Sequence, residues 1–139
     1  MNKILTNIEG VEEVAQFAMG YLGIDGVTLA ITRNEVYLRR LSSNNCEYEA
    51  LLSKAKVDGM YNLVVRDEDP KPIVICHEIV HLKQYEDGRL LIDPETGAAL
   101  WEGELYSNLT SYMKRPWERE AFDMDFKIHR EYRKNIRHK

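Results

Sequence analysis

The chain has only two cysteines, Cys46 and Cys76, and neither stands in a CxxC or similar pairing. A disulfide framework and an all-cysteine zinc site are therefore without support, and both side chains are expected as reduced thiols. Long apolar runs are missing as well. The opening MNKILTNIEGVEEV carries one lysine and a scatter of apolar positions, too few in succession for a signal peptide or a membrane span. A cytoplasmic protein with no membrane partner is the expectation. No internal repeat, low-complexity tract or Pro/Gly-rich linker interrupts the 139 residues, so one domain over 1–139 is expected. With 44% hydrophobic and 30% charged residues, such a chain can build a core without covalent staples.

The formal charge of −4 is unevenly spread. Residues 127–139, KIHREYRKNIRHK, hold six Lys/Arg against the single Glu131, which leaves the body acidic and the tail basic. Cations at the end of a helix suit the negative pole of its dipole, so the tail reads as a solvated helix end. Nothing else resembles a nucleic-acid module, and nucleic acid is not the expected partner. A basic arm that does bind nucleic acid would show salt-sensitive binding lost on removal of 127–139.

Apolar spacing over Val11–Leu22 predicts a first helix ending near Gly23, followed by a β-branched strand, GVTLAIT (26–32). Residues 34–41 fit helix and strand equally well. Between Glu47 and Arg66 the pattern predicts two extended segments around Asp58-Gly59, a dipeptide suited to a type I′ turn, with YNLVV (61–65) the clearer strand. DEDPKP then places proline where a helix opens, and PIVICHEIVHLKQYE continues to the stop at Asp87-Gly88. RLLIDPETGAALWEGELY predicts a second hairpin turning at Asp93–Gly97, and Pro116 opens a last helix that runs through the tail. This order is that of an α+β domain with a small antiparallel or mixed sheet.

The chemistry concentrates in HEIVH. His77 and His81, four apart on a helix, stack one turn over the other, where two imidazoles can grip one ion. Glu78 lies about 100° round the axis from His77, off the metal direction yet close enough to reach water held there, the position a general base needs. This HExxH arrangement is a zinc-site pattern. Two ordinary polar histidines would serve a surface helix. Here Ile73, Val74, Ile75, Ile79, Val80 and Leu82 wrap the helix and mark it as buried, and buried polar groups left unpaired cost about 1–3 kcal/mol each. A Zn2+ ion satisfies them together.

Catalytic zinc usually takes three protein ligands. Asp87 lies six after His81, where HExxHxxGxxH sites carry their last ligand, but that turn needs glycine where this chain has Gln84. The segment RPWEREAFDMDFKIH offers Glu118 and Glu120, about 200° apart on a helix, so at most one faces the site. Glu118 falls inside the apolar arc of Trp117, Ala121, Phe122, Met124 and Ile128, and Glu120 falls at its edge, so Glu118 is chosen over Glu120. Asp125 shares the inward arc and is a candidate to accept the second ring proton of a ligand histidine. His129 is three turns from Glu118, roughly 16 Å along the axis, and is read as structural.

With HEIVH and the separate PWEREAF, the sequence resembles the gluzincins, zinc metallopeptidases whose third ligand is a glutamate on a downstream helix. It is also similar to small zincin-like proteins of phage and mobile-element type that show HExxHxxQ followed by a PxExEA-like helix. The likeness covers roughly Tyr61 to Phe126. It implies a minimal zincin-like fold with an active-site helix and a C-terminal glutamate-bearing helix, and an edge strand beside the site for which YNLVV is in place. The implied activity is hydrolysis of peptide bonds in a protein or peptide substrate, with zinc on His77, His81 and Glu118 activating water and Glu78 as general base. Tyr106, with Tyr112 as the alternative, is the candidate donor to the oxyanion. The chain departs from the pattern at Phe122, where many such families carry Asp or Asn, and Gln84 and Tyr85 receive no ligand role. The alternative is a zincin-shaped binding or structural module that keeps zinc and catalyses nothing.

Overall fold

A computed structural model describes residues 1–41 and 48–137; Cys46 lies outside this range. The architecture is α+β, as the element order predicts. Strand β1 (Lys3–Thr6) leads to helix α1 (Val11–Tyr21), then β2 (Thr28–Arg33), helix α2 (Glu35–Leu41), β3 (Ala50–Lys54) and β4 (Met60–Val65). The long helix α3 (Pro72–Glu86) follows, then three short strands, β5 (Leu90–Ile92), β6 (Ala99–Trp101) and β7 (Glu104–Tyr106). A 3-10 turn at Tyr112–Lys114 precedes α4 (Pro116–Arg137).

The first four strands form one sheet in the order β1-β2-β4-β3. β1 and β4 run parallel to β2, whereas β3 is antiparallel to β4. This corrects one expectation. YNLVV is central, not an edge, because its alternate residues Tyr61, Leu63 and Val65 are all buried and it has a partner on each side. The edge beside α3 is β3, where the alternation is weaker and only Ala50 and Leu52 are buried. β1 gave no clear signal because it contributes only Ile4 to the core. The ambiguous segment 34–41 resolves as helix, capped by Asn34, whose side-chain oxygen accepts the Tyr37 N–H at 3.0 Å.

The β3–β4 connection is longer than a two-residue turn: Ala55 N–H donates to Met60 O at 2.9 Å and Met60 N–H to Val57 O at 3.2 Å. Only Gly59 has positive φ there (79°), and Asp58 does not, so the type I′ geometry is not adopted. That pattern occurs instead two hairpins later. Glu102 and Gly103, joining β6 to β7, both have positive φ (49° and 87°), which adds a third strand to the predicted hairpin. The Asp93–Gly97 turn is present, closed by Gly97 N–H donating to Asp93 O at 2.8 Å.

Helices α1, α3 and α4 pack on one another and share the main core with the sheet. α3 is wrapped on all sides, with every residue from Ile75 to Leu82 buried, and Gln84 as well. α4 buries a narrow stripe, Trp117, Ala121, Asp125, Ile128 and Tyr132, and exposes its basic end from Arg133 to Arg137. Leu90, Ala99, Trp101 and Trp117 make a second, smaller core that seats the three-stranded sheet against the start of α4. No helix among the described residues is long and apolar enough to cross a membrane.

Candidate metal centre

The close approach of α3 and α4 sets the site, and Ala121, fully buried at their interface, permits it. His77 and His81 project from α3 and Glu118 from the first turn of α4. His77 Nε2 lies 2.9 Å and His81 Nε2 2.8 Å from the same atom, Glu118 Oε1. The Tyr112 hydroxyl donates to that oxygen at 3.1 Å. Each imidazole is anchored through its other nitrogen: His77 Nδ1 to Asp125 Oδ2 at 2.8 Å, and His81 Nδ1 to Gln84 Oε1 at 2.8 Å. A carboxylate oxygen and an amide carbonyl only accept, so both Nδ1 atoms carry protons. In the neutral rings both Nε2 lone pairs then face Glu118.

Three electron-rich atoms converge on one point, and such a cluster needs a cation. Without a metal, protons must fill that need. Burial disfavours the imidazolium of His77, but the hydrogen bonds to Asp125 and Glu118 outweigh it and raise the pKa to about 9. His81 moves the same way: burial opposes, and the bond to Glu118 prevails. Burial would lift Glu118, yet both histidines hold it well below the usual carboxylate range. One ligand atom from each of His77, His81 and Glu118 lies within 4.8 Å of the others, so this group could hold a metal ion. Two imidazoles and a carboxylate are the donor set of an open, catalytic-type site.

The remaining predicted residues fall into two groups. Glu78 is buried at 7% exposure beside the histidines. Burial pushes its carboxyl up to about 7, against the pull of His81 and His77. Asp125 lies where its helical arc placed it, accepting the His77 Nδ1 proton. Phe122 instead lays its ring against His77, centroids 4.7 Å apart. Tyr106 is elsewhere: its ring packs edge-on against Trp117 at 5.3 Å and its hydroxyl contacts Glu104, outside the cavity lining. A three-residue strand points it toward the small core, whereas the 3-10 turn carries Tyr112 to the site. Glu120 faces Arg89, which holds it with two bonds of 2.9 and 2.6 Å. Asp87 pairs with Lys83 at 3.2 Å at the end of α3, and half-buried His129 lies down α4 outside the metal group.

Gln84 is the residue that sequence reasoning passed over. It is fully buried; its Oε1 takes the His81 proton, and its Nε2 donates to Trp117 O at 3.0 Å and Glu120 Oε1 at 3.1 Å. The available signal was its place three after His81 on the same wrapped helix, where an amide cannot remain unpaired.

These groups form one wall of a cavity of about 550 Å³ bounded by α3, α4 and β3. Its lining is mostly apolar, with Leu52, Val74, Leu90, Trp117 and Phe122 around the polar group. Comparisons with family models, curated proteins and solved structures find no match for this chain.

The pKa directions predict how the metal-free protein responds to pH. Glu118, lowered from 4.5, contributes stability that is present above that value and lost as pH falls. His77, raised from 6.5 to about 9, contributes stability that is full below 6.5 and lost as pH rises through 9. Urea midpoints measured with chelator present should therefore be highest between these limits and decline on both sides. Glu118→Gln should flatten the profile.

Proposed function

We propose that this protein is a zinc-dependent metallopeptidase, hydrolysing peptide bonds in a protein or peptide substrate. The observation that carries the reading is the convergence of His77 Nε2, His81 Nε2 and Glu118 Oε1, with both Nδ1 protons fixed elsewhere, on the wall of an open cavity. The HExxH spacing and the resemblance to small zincin-like proteins support the same reading. Zinc held there supplies Lewis acidity toward a carbonyl and toward water.

The chain's own residues divide the remaining work. Glu78, buried beside the two histidines, stands where it can take a proton from water at the site and later return it, as a general base requires. Asp125 and Gln84 keep the imidazoles turned toward Glu118. Tyr112, already at the site with its hydroxyl, is the donor nearest a developing oxyanion and takes the role first considered for Tyr106. β3 ends the sheet and borders the cavity, so an extended peptide can lie along it as an added strand.

Zinc must displace the protons that otherwise occupy the site. At pH 7 His77 is protonated, so metal uptake should release about one proton or more per ion, and zinc affinity should climb with pH until about 9. Calorimetric titration in buffers of different ionisation enthalpy reads the proton count. Zero protons released at pH 7 would count against the donor set.

Ala121 offers a second check. Ala121→Leu forces α3 and α4 apart one turn from Glu118, and should cost about 1–3 kcal/mol in stability while weakening zinc binding. Unchanged zinc affinity in a variant destabilised by that amount would show that the helix spacing does not set the ligand geometry.

A further inference from the structure

The end of α3 does more than stop a helix. Gly88, with φ of 70°, lets the chain reverse so that Gly88 N–H donates to Tyr85 O at 3.0 Å and Arg89 N–H to Gln84 O at 3.0 Å. The reversal sets Arg89 beside Gln84 in space, although its side chain belongs to the small sheet. Its guanidinium lies 4.6 Å over the Trp101 ring, and its Nε contacts Glu102 at 3.4 Å. Its two terminal nitrogens grip both oxygens of Glu120, at 2.9 and 2.6 Å. Glu120 Oε1 in turn accepts from Gln84 Nε2, whose Oε1 holds the His81 Nδ1 proton.

We propose that Arg89, Glu120 and Gln84 form a positioning relay that fixes the ring orientation and tautomer of His81 from the three-stranded sheet. A buried primary amide can face His81 with either end, and the wrong end would present N–H to a nitrogen that must itself donate. Gln84 is held the right way round because its NH2 has two acceptors behind it, Trp117 O and Glu120. Glu120 stays in place because Arg89 clamps it in a planar fork. His77 needs no such relay because Asp125 accepts from it directly. Arg89 is therefore a positioning residue, three links from the metal group.

This inference rests on the metal reading and not on hydrolysis, so its test needs no substrate. Zinc affinity is measured by competition with a chromophoric chelator in wild type, Gln84→Leu, Arg89→Met, Glu120→Gln and the Arg89→Met/Gln84→Leu double variant. Gln84→Leu should weaken zinc roughly 10- to 100-fold, and Arg89→Met and Glu120→Gln several-fold. The double variant should be no weaker than Gln84→Leu alone, because the relay acts through the amide. Nitrogen-15 NMR of the zinc-loaded protein adds a readout that general destabilisation leaves alone: the His81 Nδ1 proton should exchange faster with water in Arg89→Met, and the His77 Nδ1 proton should not. Wild-type zinc affinity in both Arg89→Met and Glu120→Gln, or fully additive losses in the double variant, would overturn the relay and leave the metal reading standing. A wild-type protein that takes up no zinc overturns both.

Discussion

His77→Ala should reduce zinc content from one ion per chain to nearly none, and abolish the rise in unfolding temperature that zinc gives the wild type. With three candidate donors already converged, binding requires little rearrangement, and free zinc at 100 times its dissociation constant should stabilise the folded chain by about 2.7 kcal/mol. In a chain of this size that is roughly a 10 °C shift in the unfolding midpoint. Removing one imidazole leaves His81 and Glu118 as a two-donor site. It also strands Asp125, which is buried and loses the His77 Nδ1 proton it accepts at 2.8 Å. The variant should therefore be less stable even with chelator present. Glu118→Gln separates the two effects, since it keeps the shape and removes the charge. Metal analysis of the purified proteins, with thermal scans with and without zinc, decides the matter. A His77→Ala variant that holds zinc as tightly as wild type would remove the site.

Glu78→Gln tests the chemistry and not the metal. Its zinc affinity should stay within a few-fold of wild type, because Glu78 is not one of the three residues whose donor atoms converge. Peptide hydrolysis should fall by about 10²- to 10⁴-fold in kcat, the range for a lost general base. Its stability should move the opposite way to that of His77→Ala. Glu78 is an acid whose folded pKa, about 7, lies above its ordinary 4.5, so the folded state loses stability as pH rises from 4.5 through 7. Glutamine of the same shape escapes that penalty, and the variant should be the more stable protein at pH 8. A functional group that costs stability where it is ionised is the usual mark of a residue kept for chemistry. If wild type and variant cleave a peptide library equally fast, Glu78 is not the base. If wild-type protein loaded with zinc cleaves nothing, the reading as a zinc-holding structural or binding module takes precedence.

The positions that the sequence made legible are those where local periodicity and local chemistry agree. Four-residue spacing places His77 over His81 whatever the rest of the chain does, and a helix apolar on every side must be buried, as α3 is. The choice of Glu118 over Glu120 also followed from helical angle alone, because the apolar stripe of α4 defines which arc turns inward. Chain order could not give strand order. YNLVV reads the same whether central or at an edge, and only pairing with β2 and β3 together assigns its place. The two tyrosines were likewise indistinguishable, since both lie between the ligand segments and only the path of the short strands and the 3-10 turn separates them.

Spacing along two helices thus determined which side chains can share an ion, because the helical repeat is a local property of the backbone. Tertiary structure decided which of the inward groups meet: Asp125 reaches His77, and Glu120 with Arg89 reaches Gln84 behind His81, only when α3, α4 and the end of the small sheet come together. A hydrogen bond between groups tens of residues apart depends on that packing, and no periodicity in either segment encodes it.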